Sequence, residues 1–225
     1  YLAALAPTYA DLAALVALCA RPRGRLPPLL SLLLPHNFSS PVSLSVSFEQ
    51  LLAARPPDTV IVTPVDASDD DCLCRAMELG CDVISEKPMT IDAPRLQRIL
   101  DTQRRTGREC KVTFNCSYTP SWLQVKDLLM SGVIGEVLAV DFHWMLDTVH
   151  GADCFRRWHR NMANSGGLLL HKATQHFDMM NWWLSAVPTS VYALGKRGFY
   201  LPQTADRYGL SARGEHCRAC GDTAR

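Results

Sequence analysis

Two groups of residues in this 225-residue chain carry side chains suited to proton chemistry: Glu86-Lys87-Pro88, and the pair Lys172 and His176. A lysine held beside a carboxylate at the end of a strand is both positioned and electrostatically tuned. An imidazole titrates near working pH, which suits it to take a proton from a hydroxyl that is being oxidised. Lys172 and His176 are four positions apart, about 40° around a helix axis, so they share one face. A cationic Lys172 there would disfavour the imidazolium and keep His176 a neutral base. His171 and His176 diverge by about 140° and make a poor metal-ligand pair. Each group also has a plainer reading. Glu86-Lys87 alone is a surface ion pair of small worth, and a histidine beside a lysine on an apolar helix can be a hydrogen-bonded core residue with a snorkelling neighbour.

The elements that would hold these residues are legible around them. Val83-Ile84 is an apolar strand that Pro88 must end, because proline has no amide hydrogen for a ladder. Upstream, residues 58–64 form a β-branched run that stops at Thr63-Pro64, followed by a helix from about Asp69 to Leu79 with Gly80 as its C-cap. Strand, helix, strand is the βαβ unit of a parallel sheet, so both proline turns should face one edge. Asp92 caps a further helix with Pro94 in its first turn, and Lys111 to Asn115 is the next strand. Phe48 to Ala54 reads as a short helix and Trp122 to Met130 as another. Val137 to Trp144 alternates like a strand of a second sheet, and Ser165-Gly166-Gly167 opens a helix from about Leu168 to Leu184. Residues 148–164, with His150, Trp158, His159 and Arg160, read as a loop suited to substrate contacts. Residues 25–46 lack periodicity and hold prolines 27, 28 and 35, which predicts an irregular connection.

In order and spacing, Val62-Thr63-Pro64, residues 76–83, Glu86-Lys87-Pro88, Gly166-Gly167 and residues 171–178 resemble the Gfo/Idh/MocA oxidoreductases, over about residues 48–200. The resemblance implies an α/β fold: a partial Rossmann-like parallel-sheet domain over residues 1–116, then a partial α+β substrate domain over 117–225 with a largely antiparallel sheet. It implies hydride transfer between NAD or NADP and a sugar, cyclitol or related polyol. In that scheme His176 is the acid/base, with Lys172 four residues before it, and Lys87 orients the reacting hydroxyl or carbonyl. Thr63, Pro64, Glu86, Lys87, Pro88 and Asn115 would lie along the nicotinamide side. A homo-oligomer, dimer or tetramer, is implied for the complete form. The N-terminal stretch would be a helix through about Tyr9 and a buried strand centred on residues 15–18.

The sequence departs from the family pattern in several places. No Gly-x-Gly-x-x-Gly occurs in it, and that loop is what lets backbone approach a pyrophosphate at a helix N-terminus. Ala20 stands where an acidic residue meets the ribose hydroxyls, with Arg21 and Arg23 suited to a 2′-phosphate. Ser68 replaces a histidine, and Ser117-Tyr118 replaces an arginine-led pair. An inactive family member or fragment acting as a binding or scaffold protein is the alternative these departures favour.

A formal net charge of +1 offers no basic field for nucleic acid, and no run of eighteen apolar residues predicts a membrane span. The nine cysteines, several inside apolar patterns, suit reduced thiols in a cytoplasmic protein. Cys217 and Cys220 are two thiols short of a closed zinc site, so no metal is expected.

Overall fold

The computed structural model describes residues 15–19, 42–45, 47–54 and 56–210. The expectations for the first helix, for Ala20 and the arginines after it, and for Cys217 and Cys220 lie outside those residues. Two short strands, β1 (Ala17–Cys19) and β2 (Ser43–Ser45), pair in parallel. β2 falls in the stretch read above as an irregular connection. Its three residues are held by β1, a long-range pairing that local composition does not report. Helix α1 (Phe48–Ala54) follows as expected.

A three-stranded parallel sheet of order β3-β4-β5 comes next, built from β3 (Thr59–Val62), β4 (Asp82–Glu86) and β5 (Cys110–Thr113). The register aligns Val62 with Ser85 and Glu86 with Thr113, so the residues after all three strands emerge on one edge. β3 alternates, with Val60 and Val62 buried and Thr59 and Ile61 exposed. The buried face packs on α1, α2 (Asp69–Glu78) and α3 (Ala93–Thr106) through Leu52, Leu73, Met77, Val83 and Ile99. Burying a side chain of that size contributes about 1.5–3 kcal/mol. The predicted caps hold: Asp92 accepts the Arg95 amide at 3.0 Å, and Gly80 takes the left-handed backbone at φ +89°. Arg98 on α3 reaches Asp70 at 3.0 Å, tying the two helices together above the core.

After β5, α4 (Pro120–Met130) packs against the long helix α7 (Leu168–Leu184), with the Trp122 and Trp183 rings 5.0 Å apart. Between them lie α5 (Thr148–Arg156), a 3-10 turn (Trp158–Arg160) and α6 (Met162–Ser165), so residues 148–164 are helical rather than the loop expected. α8 (Pro202–Arg207) comes last. Val137 to Trp144 is not a strand, and among the described residues none follows Thr113. The alternation there is real, but a strand needs a ladder partner, and Leu138 remains 88% exposed. No helix among the described residues is long and apolar enough to cross a membrane.

Candidate active site

Pro88 ends β4 as its chemistry requires. Its ring is fully buried, so this residue shapes the turn rather than presenting a surface; the Lys87-Pro88 peptide is cis. Glu86 accepts from the Thr113 hydroxyl on the neighbouring strand at 3.2 Å. The Lys87 side chain crosses to the other half of the chain, where its Nζ donates to the His171 carbonyl in the first turns of α7 at 2.7 Å. Burial first, and then the charge of Lys172, push the Lys87 pKa down, while Asp66 and Glu86 act in the opposite direction. Lys87 is thus an amine closer to neutrality than a surface lysine.

Gly166 and Gly167 bring α7 to that edge. Gly166 sits at φ +67°, and a Cβ on it would come within 3.0 Å of the Ile91 carbonyl oxygen in the β4–α3 connection. Only glycine permits so close an approach of the α6–α7 turn to the backbone beyond Lys87.

On α7, Lys172 and His176 share a face as predicted and have different surroundings. Lys172 Nζ lies 2.5 Å from His150 Nε2 on α5, which makes that imidazole nitrogen the acceptor. His176 is buried, with the Trp144 ring at 4.4 Å and the Phe142 ring at 5.6 Å. Its Nε2 has no hydrogen-bond partner among the described residues. Burial, followed by the charge of Lys87, lowers its pKa, so it is a neutral base near pH 7. The expectation that Lys172 supplies this effect needs correction: the cation acting on His176 is Lys87, whereas Lys172 acts on Lys87. An open groove of about 440 Å³ runs along the 176, 180 and 184 stripe of α7, lined also by Val140, Phe142 and Phe177.

Thr63 and Pro64 are exposed just past β3, and Asn115 is exposed at the start of a 3-10 turn after β5. With Glu86 and Lys87 they lie at the carboxyl ends of the three parallel strands, and the two proline turns face one edge as expected. Sequence reasoning missed Asp66, which is 5% exposed and whose Oδ2 lies 2.7 Å from His171 Nδ1. It also missed Asp69, a buried carboxyl whose pKa is pushed up to about 8 by burial and then by Asp66, Asp70 and Glu86. The available signals were only a polar residue in the β-to-α turn for Asp66 and an acidic residue opening α2 for Asp69. Among the described residues no three potential ligands cluster to hold a metal.

A parallel sheet whose carboxyl edge carries a half-buried amine bonded to a helix with an unpartnered imidazole defines a Rossmann-type α/β protein. Residues 5–114 match the family model described as the oxidoreductase family's NAD-binding Rossmann fold, and residues 126–215 match its C-terminal alpha/beta domain. The chain belongs to the Gfo/Idh/MocA oxidoreductase family. It is 35% identical over 174 residues to YteT of Bacillus subtilis (strain 168), a protein named as an oxidoreductase, covering 77% of this chain and 41% of that protein. It is 28% identical over 148 residues to inositol 2-dehydrogenase of Rhizobium meliloti (strain 1021), covering 65% and 42%. In fold it is similar to myo-inositol 2-dehydrogenase from Lactobacillus plantarum, at a TM-score of 0.67 and 17% identity, covering 82% of this chain and 52% of that one. The WlbA dehydrogenase from Bordetella pertussis, solved with NADH and UDP-GlcNAcA, aligns at a TM-score of 0.63 and 20% identity, over 78% and 49%. The chain thus spans about half the length, or less, of these relatives.

At the carboxyl edge, exposed Thr63, Pro64 and Asn115 leave a surface on which the nicotinamide end of a dinucleotide could lie. For the pyrophosphate the 225 residues supply no Gly-x-Gly-x-x-Gly.

Proposed function

We propose that these residues belong to an NAD- or NADP-dependent oxidoreductase acting on a sugar, cyclitol or related polyol. The observation that carries this reading is the unpartnered, buried Nε2 of His176 within reach of the charge of a half-buried Lys87. A bound nicotinamide would accept or return the hydride. The protein's part is proton handling and geometry. His176 Nε2 takes the hydroxyl proton as the carbon is oxidised and returns it in reduction. Lys87 Nζ donates a hydrogen bond to the same oxygen and opposes the charge that develops there. Lys172 gives one of its three donors to His150 and has two left for a neighbouring hydroxyl. Trp144 and Phe142 keep water from the imidazole and fix its plane. Thr63, Pro64, Glu86 and Asn115 face the nicotinamide, and the complete protein assembles as a dimer or tetramer.

The test is a panel of polyols, inositols and sugars with each cofactor and the full-length protein, followed by nicotinamide absorbance. Turnover that is lost in Lys87→Met and His176→Ala is the expected result. The lack of Gly-x-Gly-x-x-Gly within these 225 residues motivates a second reading, a non-catalytic binding protein on the same fold. Calorimetric titration of the full-length protein with dinucleotide separates the two. A dissociation constant near 1 μM, worth about 8 kcal/mol, favours the enzyme, and no detectable binding at millimolar dinucleotide favours the second reading.

A further inference from the structure

We infer that Asp66 and His171 form a positioning couple that fixes Lys87 in the cleft. The inference rests on the proposed function only in treating Lys87 as a catalytic residue. Three distant segments meet at His171. Its ring nitrogen Nδ1 lies 2.7 Å from Asp66 Oδ2 in the turn after β3, and its backbone carbonyl accepts from Lys87 Nζ at 2.7 Å. Asp66 is 5% exposed and His171 7%, so the contact is shielded from solvent. A buried carboxylate left unpaired is costly, and pairing it here ties the turn to helix α7. The His171 ring is braced on its other side by Trp158 at 5.4 Å and His159 at 4.5 Å. The ring's freedom to rotate is therefore small, and through it Asp66 ties the β3 turn to the helix that carries the 171 carbonyl.

Lys87 depends on this couple in two ways. Geometrically, its ammonium is anchored on the residue that Asp66 holds, one position before Lys172 and five before His176. Electrostatically, it faces Lys172 from α7, Asp66 from the β3 turn, Glu86 on its own strand and Cys154 from α5, and its own charge acts on His176 and Cys116. Of these groups Asp66 is the acid that also holds the anchoring helix. Removing its charge leaves Lys172 less opposed.

The test uses a readout independent of turnover. The pH dependence of Lys87 acetylation, followed by competitive labelling and peptide mass spectrometry, gives the Lys87 titration midpoint in the chain without cofactor. Asp66→Asn keeps an oxygen for the imidazole and removes the charge, and it should lower that midpoint by at least about half a pH unit. Leu73→Ala, a core change away from the cleft, should reduce thermal stability and leave the midpoint in place. The second arm is His171→Gln in the full-length protein. It should lower kcat roughly 10- to 100-fold, the scale of a small misplacement of a reacting group, while Leu73→Ala holds kcat within about threefold. An unmoved midpoint in Asp66→Asn, or a midpoint that moves equally in Leu73→Ala, overturns the positioning role. If Lys87→Met in the full-length protein turns over as fast as the parent, the proposed function fails, whatever the labelling shows.

Discussion

Asp69 opens α2 with 2% of its surface exposed and an Oδ1 that has no partner among the described residues. Burial, and after it Asp66, Asp70 and Glu86, raise its pKa from 3.8 to about 8. Folding therefore makes this carboxyl hold a proton that the unfolded chain releases. The cost is absent below 3.8 and grows as pH rises through about 8, so stability is lost with rising pH across that window. Near pH 7 the gap from the unfolded value is about three units at roughly 1.4 kcal/mol each, an upper bound of about 4 kcal/mol. Relaxation and water penetration bring this to about 2–4 kcal/mol. Asp69→Asn removes the titration and keeps the shape. It should raise stability by that amount near pH 7 and by almost nothing near pH 4. With a urea slope of about 2 kcal/mol/M, the unfolding midpoint should move up by about 1–2 M at the higher pH only. Equal midpoints for parent and variant at both pH values would refute the reasoning. A gain of the same size at both would attribute the effect to the amide itself.

Gly166→Ala should destabilise by at least about 1–2 kcal/mol, since it forces a left-handed residue toward the Ile91 carbonyl, and thermal unfolding reads the loss. Asp92→Ala removes the cap on the Arg95 amide and should cost about 1 kcal/mol in urea unfolding, with Asp92→Asn nearly silent. The His176 ring should titrate by NMR below its ordinary 6.5, and Lys87→Met should move it upward, because Lys87 is one of the two causes of the depression. The neutral native form of His176 also means that its contribution to stability is lost as pH falls below 6.5.

The local signals in the sequence were enough for the part of the fold that carries the lysine. The prolines at 64 and 88, the β-branched run between Asp58 and Thr63, and the cap at Asp92 each act within one turn or strand, and each element formed where predicted. Helix α7 was legible to its ends because Gly166-Gly167 opens it and its periodicity is long. What escaped depends on partners far along the chain. Asp66 and His171 are separated by 105 positions, so nothing near either residue announces their pairing. His150 was noticed for its polar surroundings, yet its role as acceptor for Lys172, 22 positions away, follows only from the tertiary structure. Val137 to Trp144 has the pattern of a strand without a ladder, and its aromatic residues Phe142 and Trp144 instead enclose His176.

The central claim is that His176 moves the substrate proton. It is tested most directly by kcat of His176→Ala in the full-length protein, with folding checked by circular dichroism. Loss of a positioned acid/base predicts a fall of about 10²- to 10⁴-fold with cofactor affinity little changed, and a kcat within about threefold of the parent would contradict the account.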